Sequence, residues 1–406
     1  MNYCLKQYNP MIFSVRNIPE ECLKVIAKIN SLRENLRFLI SDNHTRWPLV
    51  LRRSSLARAV QGTNSIEGYN VTYEDAVAAV DGEEPLDAQK EDWLAAQGTT
   101  RAMNHILQIA ADPAFVFDLG TIRGLQFMMI EHDINKHPGR WRPGAIWVKH
   151  EPEGTIVYEA PDVELVPGLM NEFVESLNAK DDLPVMVRAA LAHINLAMIH
   201  PFSDGNGRMG RAIQTLVLGR ERVVDPVFSS IDAYIGRHRN DYYAILAEVG
   251  QGSWHPENSP LPFIKFCLVA HYREAEKLFT LAKQMGLVWA ALDNLIKEQK
   301  LHPRTMAALA DATIGIRVRN SGYRQSLKGS QSIEISEQSA LKDLKSLVDK
   351  GLLIAKGERR SRYYLAGDPL LKIKEDLIKP SVEPDSFLEI AAQMRPDLPG
   401  IEPHAA

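Results

Sequence analysis

The sequence predicts a mainly α-helical protein with one β-hairpin and a C-terminal module of helices and strands. Apolar residues recur at three- to four-residue spacing through most of residues 19–290, the period of a helix buried on one face. Two β-rich runs on either side of "EPEG" at 151–154 interrupt that pattern. From about Leu301 the pattern changes again. We therefore expect four parts, which are residues 1–108, 109–290, 291–370 and a tail over 371–406.

The N-terminal part, residues 1–108, is predicted to be helical. The stretch "PEECLKVIAKINSLRENLRFLI" at 19–40 places apolar side chains on one helix face. These side chains are Leu23, Ile26, Ile29, Leu32, Leu36 and Leu39. A shorter helix is expected over 54–68, with Gly68 as its C-terminal stop, and Thr72 is a candidate N-cap for the next helix.

The central part, residues 109–290, combines helices with the hairpin. Helical patterns over 93–107 and 119–131 precede the predicted strands at 145–148 and 155–158. The stretch "VMVRAALAHINLAMIH" at 185–200 is apolar on nearly every side, which is typical of a helix in the centre of a domain.

The C-terminal module reads as helix, strand, charged turn and strand, an order that resembles a winged helix. Ser336 is the candidate N-cap, Leu341, Leu344 and Leu347 form the apolar stripe, and Gly351 ends the helix. Between residues 317 and 362 there are eleven Lys and Arg against five Asp and Glu. A basic winged helix predicts DNA contact, with a helix in the major groove and the "KGERRSR" wing on phosphates. Winged helices also dock proteins, and both interpretations stay open.

Composition and charge exclude several classes of protein. With 45% apolar and 24% charged residues, the chain resembles an ordinary soluble globular protein. A net charge of −4 argues against a wholly nucleic-acid-binding or membrane-surface protein. Cys4, Cys22 and Cys267 lack CxxC spacing, so neither a disulfide framework nor a cysteine zinc site is expected. Without a run of eighteen apolar residues or a signal-peptide pattern, we expect a cytoplasmic protein that does not enter a membrane.

Residues 200–211, "HPFSDGNGRMGR", combine a base, an acid and anion-binding groups. Gly205 and Gly207 would let backbone N–H groups converge at the start of a helix beginning near Arg208, whose positive end faces the same point. Asn206 is expected to add a side-chain donor. Arg208 and Arg211 are three residues apart, so both guanidinium groups can reach one anion.

An acid in such a loop needs a cation between it and the anion. Asp204 would hold Mg²⁺, which prefers one or two carboxylates together with phosphate oxygens and water. His200 has an ordinary pKa near 6.5 and suits the removal of a proton from an attacking hydroxyl. The twelve residues therefore predict phosphoryl or nucleotidyl transfer, in which metal and arginines stabilise the charge.

This stretch closely resembles the signature of Fic-domain proteins, and the resemblance extends over roughly residues 110–280. It implies a mainly α fold with a Fic helical core and a β-hairpin flap. It also implies a protein adenylyltransferase, which moves AMP from the co-substrate ATP to a target hydroxyl with Mg²⁺. His200 is then the general base, Asp204 holds Mg²⁺, and Phe202 is a core anchor. The implied phosphate contacts are Gly205, Asn206, Gly207, Arg208, Met209, Gly210 and Arg211.

The resemblance assigns the hairpin at 144–160 as a flap on which the target chain pairs like an added strand. Lys149 and His150, near its turn, would approach the nucleotide. Tyr243 in "NDYYAIL" is a candidate contact of the adenine, with an ordinary core tyrosine as the alternative. Dimers occur in this family, but no sequence feature here decides the oligomeric state.

A second pattern, "TNSIEG" at 63–68, resembles a Fic-associated inhibitory helix. Thr63 and Glu67 are four residues apart and share a helix face. The resemblance implies that Glu67 pairs with Arg211 and keeps it from the γ-phosphate, so that ATP binds unproductively. Some relatives with this glutamate also remove AMP, and the sequence does not separate the two roles.

Two further hypotheses remain. One is a DNA-binding regulator whose core only senses a nucleotide, but His200 argues against it because a sensor needs no base. The other is a relative that transfers UMP, phosphocholine or a γ-phosphate. The complete "GNGRMGR" favours ATP and AMP transfer. The target protein and its acceptor residue cannot be read from the sequence.

Overall fold

The structure is a computed structural model, mainly helical, and two pairs of antiparallel strands occur in the part that it describes. It describes residues 11–41, 47–85, 88–150, 155–220, 225–331, 333–358, 362–379, 387 and 390. No helix in these ranges is both long enough and apolar enough to cross a membrane.

Five helices form the N-terminal part of the fold. They are α1 (Glu20–Ser41), α2 (Trp47–Ile66), α3 (Tyr73–Asp81), α4 (Lys90–Ala111) and α5 (Leu119–Ile130). The helix expected over 54–68 is part of α2 and begins earlier, at Trp47. Gly68 adopts a φ of +88° just beyond its end, as expected for a helix stop. Thr72 caps α3 as predicted, since its side chain accepts a hydrogen bond from the Asp75 amide.

The buried face of α1 is rotated from the predicted one. Leu23 is 45% exposed, whereas Cys22 and Val25 are fully buried. Inclusion of Leu23 in the apolar stripe was therefore wrong. Ile29 and Leu36 do lie in the core, where α1 packs along the long helix α11 (Leu261–Glu298).

The hairpin and five helices form the centre of the fold. They are β1 (Trp147–His150), β2 (Thr155–Glu159), α6 (Val166–Asn178), α7 (Val185–Ile199), α8 (Asn206–Gly219), α9 (Asp232–Arg237) and α10 (Arg239–Gly250). The predicted hairpin is confirmed, although β1 begins at Trp147 instead of residue 145. Trp147 pairs with Glu159 and Val148 with Tyr158, and a register shift follows Val148. The connecting "EPEG" lies outside the described residues.

Helices α7 and α8 are the buried centre that carries residues 200–211. Ile194, Leu196 and Ile199 of α7 are completely buried, as the all-round apolar pattern predicts. The two helices approach closely at Gly210, where a Cβ atom would lie 2.7 Å from Cδ2 of His193. This contact places the end of α7 beside the start of α8.

The C-terminal part packs as a second hydrophobic cluster, and α11 runs from the main core into it. Its elements are α12 (Met306–Thr313), α13 (Asn320–Gln331), α14 (Glu337–Asp349), β3 (Leu353–Lys356), β4 (Tyr363–Ala366) and α15 (Asp368–Leu377). Ser336 caps α14, and Leu344 and Leu347 are buried as predicted. Leu341 is 42% exposed and Ala340 is buried in its place, which corrects the predicted stripe.

The helix–strand–strand order of the C-terminal part agrees with the sequence pattern, but the winged-helix assignment stays a prediction. Residues 359–361 of the expected wing lie outside the described residues. The expected boundaries after residues 108 and 290 fall inside α4 and α11, and the division into domains also stays a prediction.

Candidate active site

His200 lies at the C-terminal cap of α7 with its acceptor nitrogen available. Its backbone has φ 51° and ψ 54°, a left-handed conformation that is strained for a residue other than glycine. Nδ1 lies 3.1 Å from the Ala197 carbonyl oxygen. A carbonyl only accepts, so Nδ1 carries the proton and Nε2 is the basic atom. Burial lowers the pKa of His200, and the imidazole is therefore neutral at pH 7.

The side chain of Asn206 closes the loop between α7 and α8 by binding the backbone of Phe202. The Asn206 amide accepts from the Phe202 N–H at 3.0 Å and donates to the Phe202 carbonyl at 2.8 Å. Its side chain thus closes the loop, and its contact with a phosphate stays a prediction. Phe202 is fully buried, as the anchor role predicts. Gly205 has a φ of +84°, which a residue with a side chain rarely adopts, and α8 starts directly after it.

Arg208 is a buried guanidinium whose nitrogens make no hydrogen bond. It is 1% exposed, and Nε, Nη1 and Nη2 all lack a hydrogen-bond partner. Its nearest anion is Asp204, with Nη2 3.6 Å from Oδ1, and its guanidinium lies 5.0 Å from the centre of the Tyr69 ring. Buried charged donors are normally paired. These unpaired donors at the start of α8 fit an anionic ligand.

Arg211, one helical turn further along, is surrounded by partners. Its Nε donates to Thr63 Oγ1 at 2.8 Å, and its Nη2 donates to Glu67 Oε1 at 2.7 Å. Asp232 of α9 lies on the same guanidinium, with Oδ1 3.1 Å from Nε. Burial alone would lower the pKa of Arg211, but Glu67 and Asp232 raise it above the ordinary value. Both residues of the "TNSIEG" pattern thus contact the second arginine.

Glu67 also lies over the first turn of α8. A Cβ atom on Gly207 would come 2.2 Å from Glu67 Oε1, so the carboxylate rests directly on the glycine. The first N–H groups of a helix have no partner within it and attract anions. Glu67 therefore occupies the place where the sequence predicts a phosphate. The Tyr243 hydroxyl donates to the carbonyl of Ile66 at 3.2 Å and fixes this end of α2.

Asp204 is the candidate metal ligand and already has cationic neighbours. Lys136 Nζ lies 2.8 Å from Oδ2. Burial acts to raise the pKa of Asp204, but Arg208 and Lys136 hold it below the ordinary value, so the group is a carboxylate. No cluster of three His, Cys, Asp or Glu that could hold a metal occurs in the described residues. A single ionised carboxylate fits Mg²⁺ only when phosphate oxygens and water supply the other ligands.

Several predicted residues are placed differently from the prediction. Met209 is completely buried, and Gly210 contacts His193 of α7. Gly210 thus belongs to the contact between α7 and α8, and the assignment of both residues as phosphate ligands stays a prediction. Tyr243 is 38% exposed, so the core-tyrosine alternative is wrong, and the buried aromatic is Tyr242. The contact of Tyr243 with adenine stays a prediction. The approach of Lys149 and His150 to the nucleotide also stays a prediction, because their side chains lie outside the described part.

Sequence reasoning missed Asp232 and Lys136. Asp232 belongs to the short helix α9, and Lys136 precedes the hairpin, so both reach the site only through the fold. Neither residue sits in a recurring spacing with residues 200–211. Only a three-dimensional contact could have identified them.

A chain of buried polar side chains runs from Arg33 through Gln214 of α8 to Tyr242. Arg33 Nη2 lies 3.2 Å from His271 Nδ1, and His271 Nε2 lies 2.9 Å from the Gln214 amide. Gln214 in turn contacts His193 Nδ1 at 2.6 Å, and His193 Nε2 lies 3.1 Å from the Tyr242 hydroxyl. The Gln214 amide nitrogen faces His271 and its amide oxygen faces His193. Burial lowers the pKa of His193 to about 3, and the chain is neutral beyond Arg33.

The geometry has a counterpart among known proteins. Residues 116–218, which include His200, the loop and both arginines, match the family model described as Fic/DOC family. This part of the chain is therefore similar to the Fic/DOC family.

Two curated relatives carry the name protein adenylyltransferase. "Protein adenylyltransferase fic-1" of Caenorhabditis elegans is 30% identical over 144 residues, which are 34% of this chain and 25% of the relative. "Protein adenylyltransferase Fic" of Aedes aegypti is 36% identical over 107 residues, or 25% of this chain and 20% of the relative. The chain thus spans about a quarter or less of the length of these relatives.

Solved structures agree in fold over a longer part of the chain. A Fic family protein from Desulfovibrio desulfuricans G20 has a TM-score of 0.54 at 18% identity, covering 89% of this chain and 99% of that chain. Fic-1 (aa134–508) from C. elegans has a TM-score of 0.52 at 20% identity, covering 64% and 73%. At these identities the likeness establishes the fold alone.

Proposed function

We propose that the protein is a self-inhibited protein adenylyltransferase, which transfers AMP from ATP to a Ser, Thr or Tyr hydroxyl of a target protein or of itself. The observation that carries this proposal is Arg208, a buried guanidinium with no hydrogen bond beside the start of α8. A polyphosphate would satisfy these donors, since guanidinium groups and phosphates match in charge and geometry. The names of the curated relatives support the same activity.

The proposed chemistry uses one basic nitrogen and a cationic helix start. His200 Nε2 takes the proton of the acceptor hydroxyl, whose oxygen forms a bond to the α-phosphorus. The bond from that phosphorus to the pyrophosphate oxygen breaks at the same time, and pyrophosphate leaves. Arg208, and Arg211 once Glu67 has left it, hold the negative charge of the phosphates. Asp204 would hold Mg²⁺, which neutralises charge on the phosphates when bound.

The proposed target binds along the flap. Trp147 and Ile156 are 45% and 57% exposed, so the flap offers two large apolar side chains to a partner. An extended target segment would cover such side chains while pairing with a strand edge.

The proposed inhibition rests on the contacts of Glu67. Its carboxylate pairs with Arg211 and lies over Gly207, so a γ-phosphate cannot bind there at the same time. Two anions compete for one guanidinium, and the anion within the chain has the advantage of proximity.

The test uses ATP labelled at the α-phosphate with wild type, Glu67→Gly and Glu67→Gly/His200→Ala. We expect weak labelling of protein for wild type, strong labelling for Glu67→Gly, and none for the double variant. ATP labelled at the γ-phosphate is the control and should leave protein unlabelled. If Glu67→Gly stays unlabelled with either nucleotide, also with cell lysate as a source of targets, the proposal is wrong.

A further inference from the structure

Arg142, which no motif in the sequence marks, binds three carbonyl groups at the base of the flap. It is 3% exposed. Its Nε donates to the His200 carbonyl at 2.9 Å and its Nη1 donates to the Gly144 carbonyl at 2.7 Å. Its Nη2 donates to the carbonyl of Pro161. The planar fork of arginine can reach three acceptors in fixed directions, which a lysine ammonium cannot reproduce.

These acceptors belong to two different parts of the fold. Gly144 precedes β1 and Pro161 follows β2, so they mark the two ends of the flap. The third acceptor is the backbone of His200, the proposed base. One side chain therefore connects both ends of the flap to the residue that removes the proton.

The backbone and the neighbour of Arg142 strengthen the same connection. The Arg142 N–H donates to the Pro201 carbonyl at 2.9 Å. The ring of Trp141 packs on that of Phe202, with the ring centres 5.0 Å apart. Arg142 thus holds residues 200 and 201, and Trp141 packs on residue 202.

A second side chain of the flap binds the end of α7. The hydroxyl of Tyr158, on β2, donates to the Met198 carbonyl at 2.8 Å, and this contact is buried. The last carbonyl groups of a helix lack partners within it and carry partial negative charge. Arg142 and Tyr158 supply the missing donors, and Arg142 adds a positive charge.

We propose that Arg142 is a positioning residue that couples the flap to His200, so that a hydroxyl presented on the flap meets His200 Nε2. Loss of the Arg142 side chain removes the hydrogen bond to the His200 carbonyl, one of the contacts that hold the left-handed backbone of His200 against its strain. The flap ends would separate from the base even though the phosphate site on α8 stays intact. This inference rests on the proposed adenylyl transfer, but the coupling itself is a structural statement.

The test compares Arg142→Gln, Arg142→Lys and the matched control Arg140→Gln, all in the Glu67→Gly background. Arg140 is exposed and lies two residues away, so the control removes the same charge. With saturating ATP, we expect transfer of the α-label to fall about 100-fold for Arg142→Gln, because a displacement near 1 Å has that effect on an aligned reaction. Arg142→Lys keeps the charge without the fork and should also fall by at least about tenfold. Arg140→Gln should match its parent.

Two measurements separate positioning from general damage. The Kd of ATP, measured by calorimetry, should stay within about threefold of the parent, since the side-chain hydrogen bonds of Arg142 go to His200, Gly144 and Pro161. Amide hydrogen exchange should become faster in residues 144–161 and 197–204 together. Transfer within threefold of the parent, unchanged exchange, or a loss of ATP affinity in proportion to the loss of transfer would each overturn the proposal.

Two other outcomes are an inactive Glu67→Gly parent and an Arg142→Gln variant that does not fold. If Glu67→Gly itself transfers no label, adenylyl transfer is wrong, and hydrogen exchange still decides whether Arg142 couples the two segments. If Arg142→Gln does not fold, Arg142→Lys and Tyr158→Phe take its place. Tyr158→Phe removes only the hydroxyl that binds the Met198 carbonyl. It should slow transfer about tenfold, because it weakens the same connection between residues 144–161 and 197–204. Equal transfer by Tyr158→Phe and its parent would contradict the coupling.

Discussion

Two arginines three residues apart on α8 have opposite surroundings. Arg208 is buried and makes no hydrogen bond, whereas Arg211 is buried among Thr63, Glu67 and Asp232. By residue type and spacing alone the two are alike, since both are cations on one helix. The difference arises because α2 and α9 pack beside Arg211, while Arg208 faces the loop and Tyr69. One arginine is thus available to a ligand, and the other is available only after Glu67 leaves.

The largest expected consequence is in stability. Arg211→Met leaves Glu67 and Asp232 together without their cation, and we expect the free energy of unfolding to fall by about 3 kcal/mol. Arg208→Met removes a buried cation that lacks hydrogen bonds, so the free energy of unfolding should change by less than about 1 kcal/mol. Urea unfolding of both variants and wild type measures the difference. Equal losses would mean that the two surroundings are energetically the same.

The next effect concerns the two carboxylates on Arg211, which we expect to act in opposite directions. Removing Glu67 frees the guanidinium for ATP, whereas Asp232 holds it in place in either state. In the Glu67→Gly background, Asp232→Asn should reduce labelling at limiting ATP about tenfold, through a weaker ATP affinity. The exposed Asp241 of α10 offers the control Asp241→Asn, which should have no effect. A rise in labelling for Asp232→Asn would place Asp232 with Glu67 as a second inhibitory group.

The smallest expected effect concerns Thr63. Thr63→Val keeps the shape of the side chain and removes the acceptor for Arg211 Nε, which weakens the inhibited state by about 1 kcal/mol or less. Residual labelling by the wild-type background should therefore rise about threefold, and labelling in the Glu67→Gly background should not change. Ser65→Ala is the matched control, since the Ser65 hydroxyl donates to Gly62 within α2. A similar rise for Ser65→Ala would point to loosening of α2 as a whole.

Much of the fold could be predicted because its periodicity is strong. The nearly all-apolar stretch before His200 is a buried helix, and the β-rich runs around "EPEG" are strands. The ends of the helices and the faces that they bury were less predictable. The spacing of α1 allows either Leu23 or Val25 to face the core, and only packing against α11 selects Val25. Leu341 of α14 was misplaced for the same reason.

Within residues 200–211 the sequence predicted which chemical groups are present better than it predicted the contacts that they make. Asn206 has the donor and the acceptor that the pattern suggests, but both bind Phe202 and close the loop. Met209 lies in the motif with its side chain fully buried, and Gly210 contacts His193 of α7. Spacing along a helix fixes which side a residue is on, but the neighbouring helix decides what it touches.

The sequence by itself determined the kinds of groups in residues 200–211 and the helical class, and its resemblance to Fic proteins implied the pairing of Glu67 with Arg211. These depend on residue type and local spacing, which act over a few turns of chain. Only the tertiary structure decided that Arg208 lacks hydrogen bonds, that Asp232 and Lys136 join the site, and that Arg142 connects the flap to His200. Those contacts join segments far apart in the chain. Hydrogen bonds and ion pairs depend on distance in space, which no local pattern records.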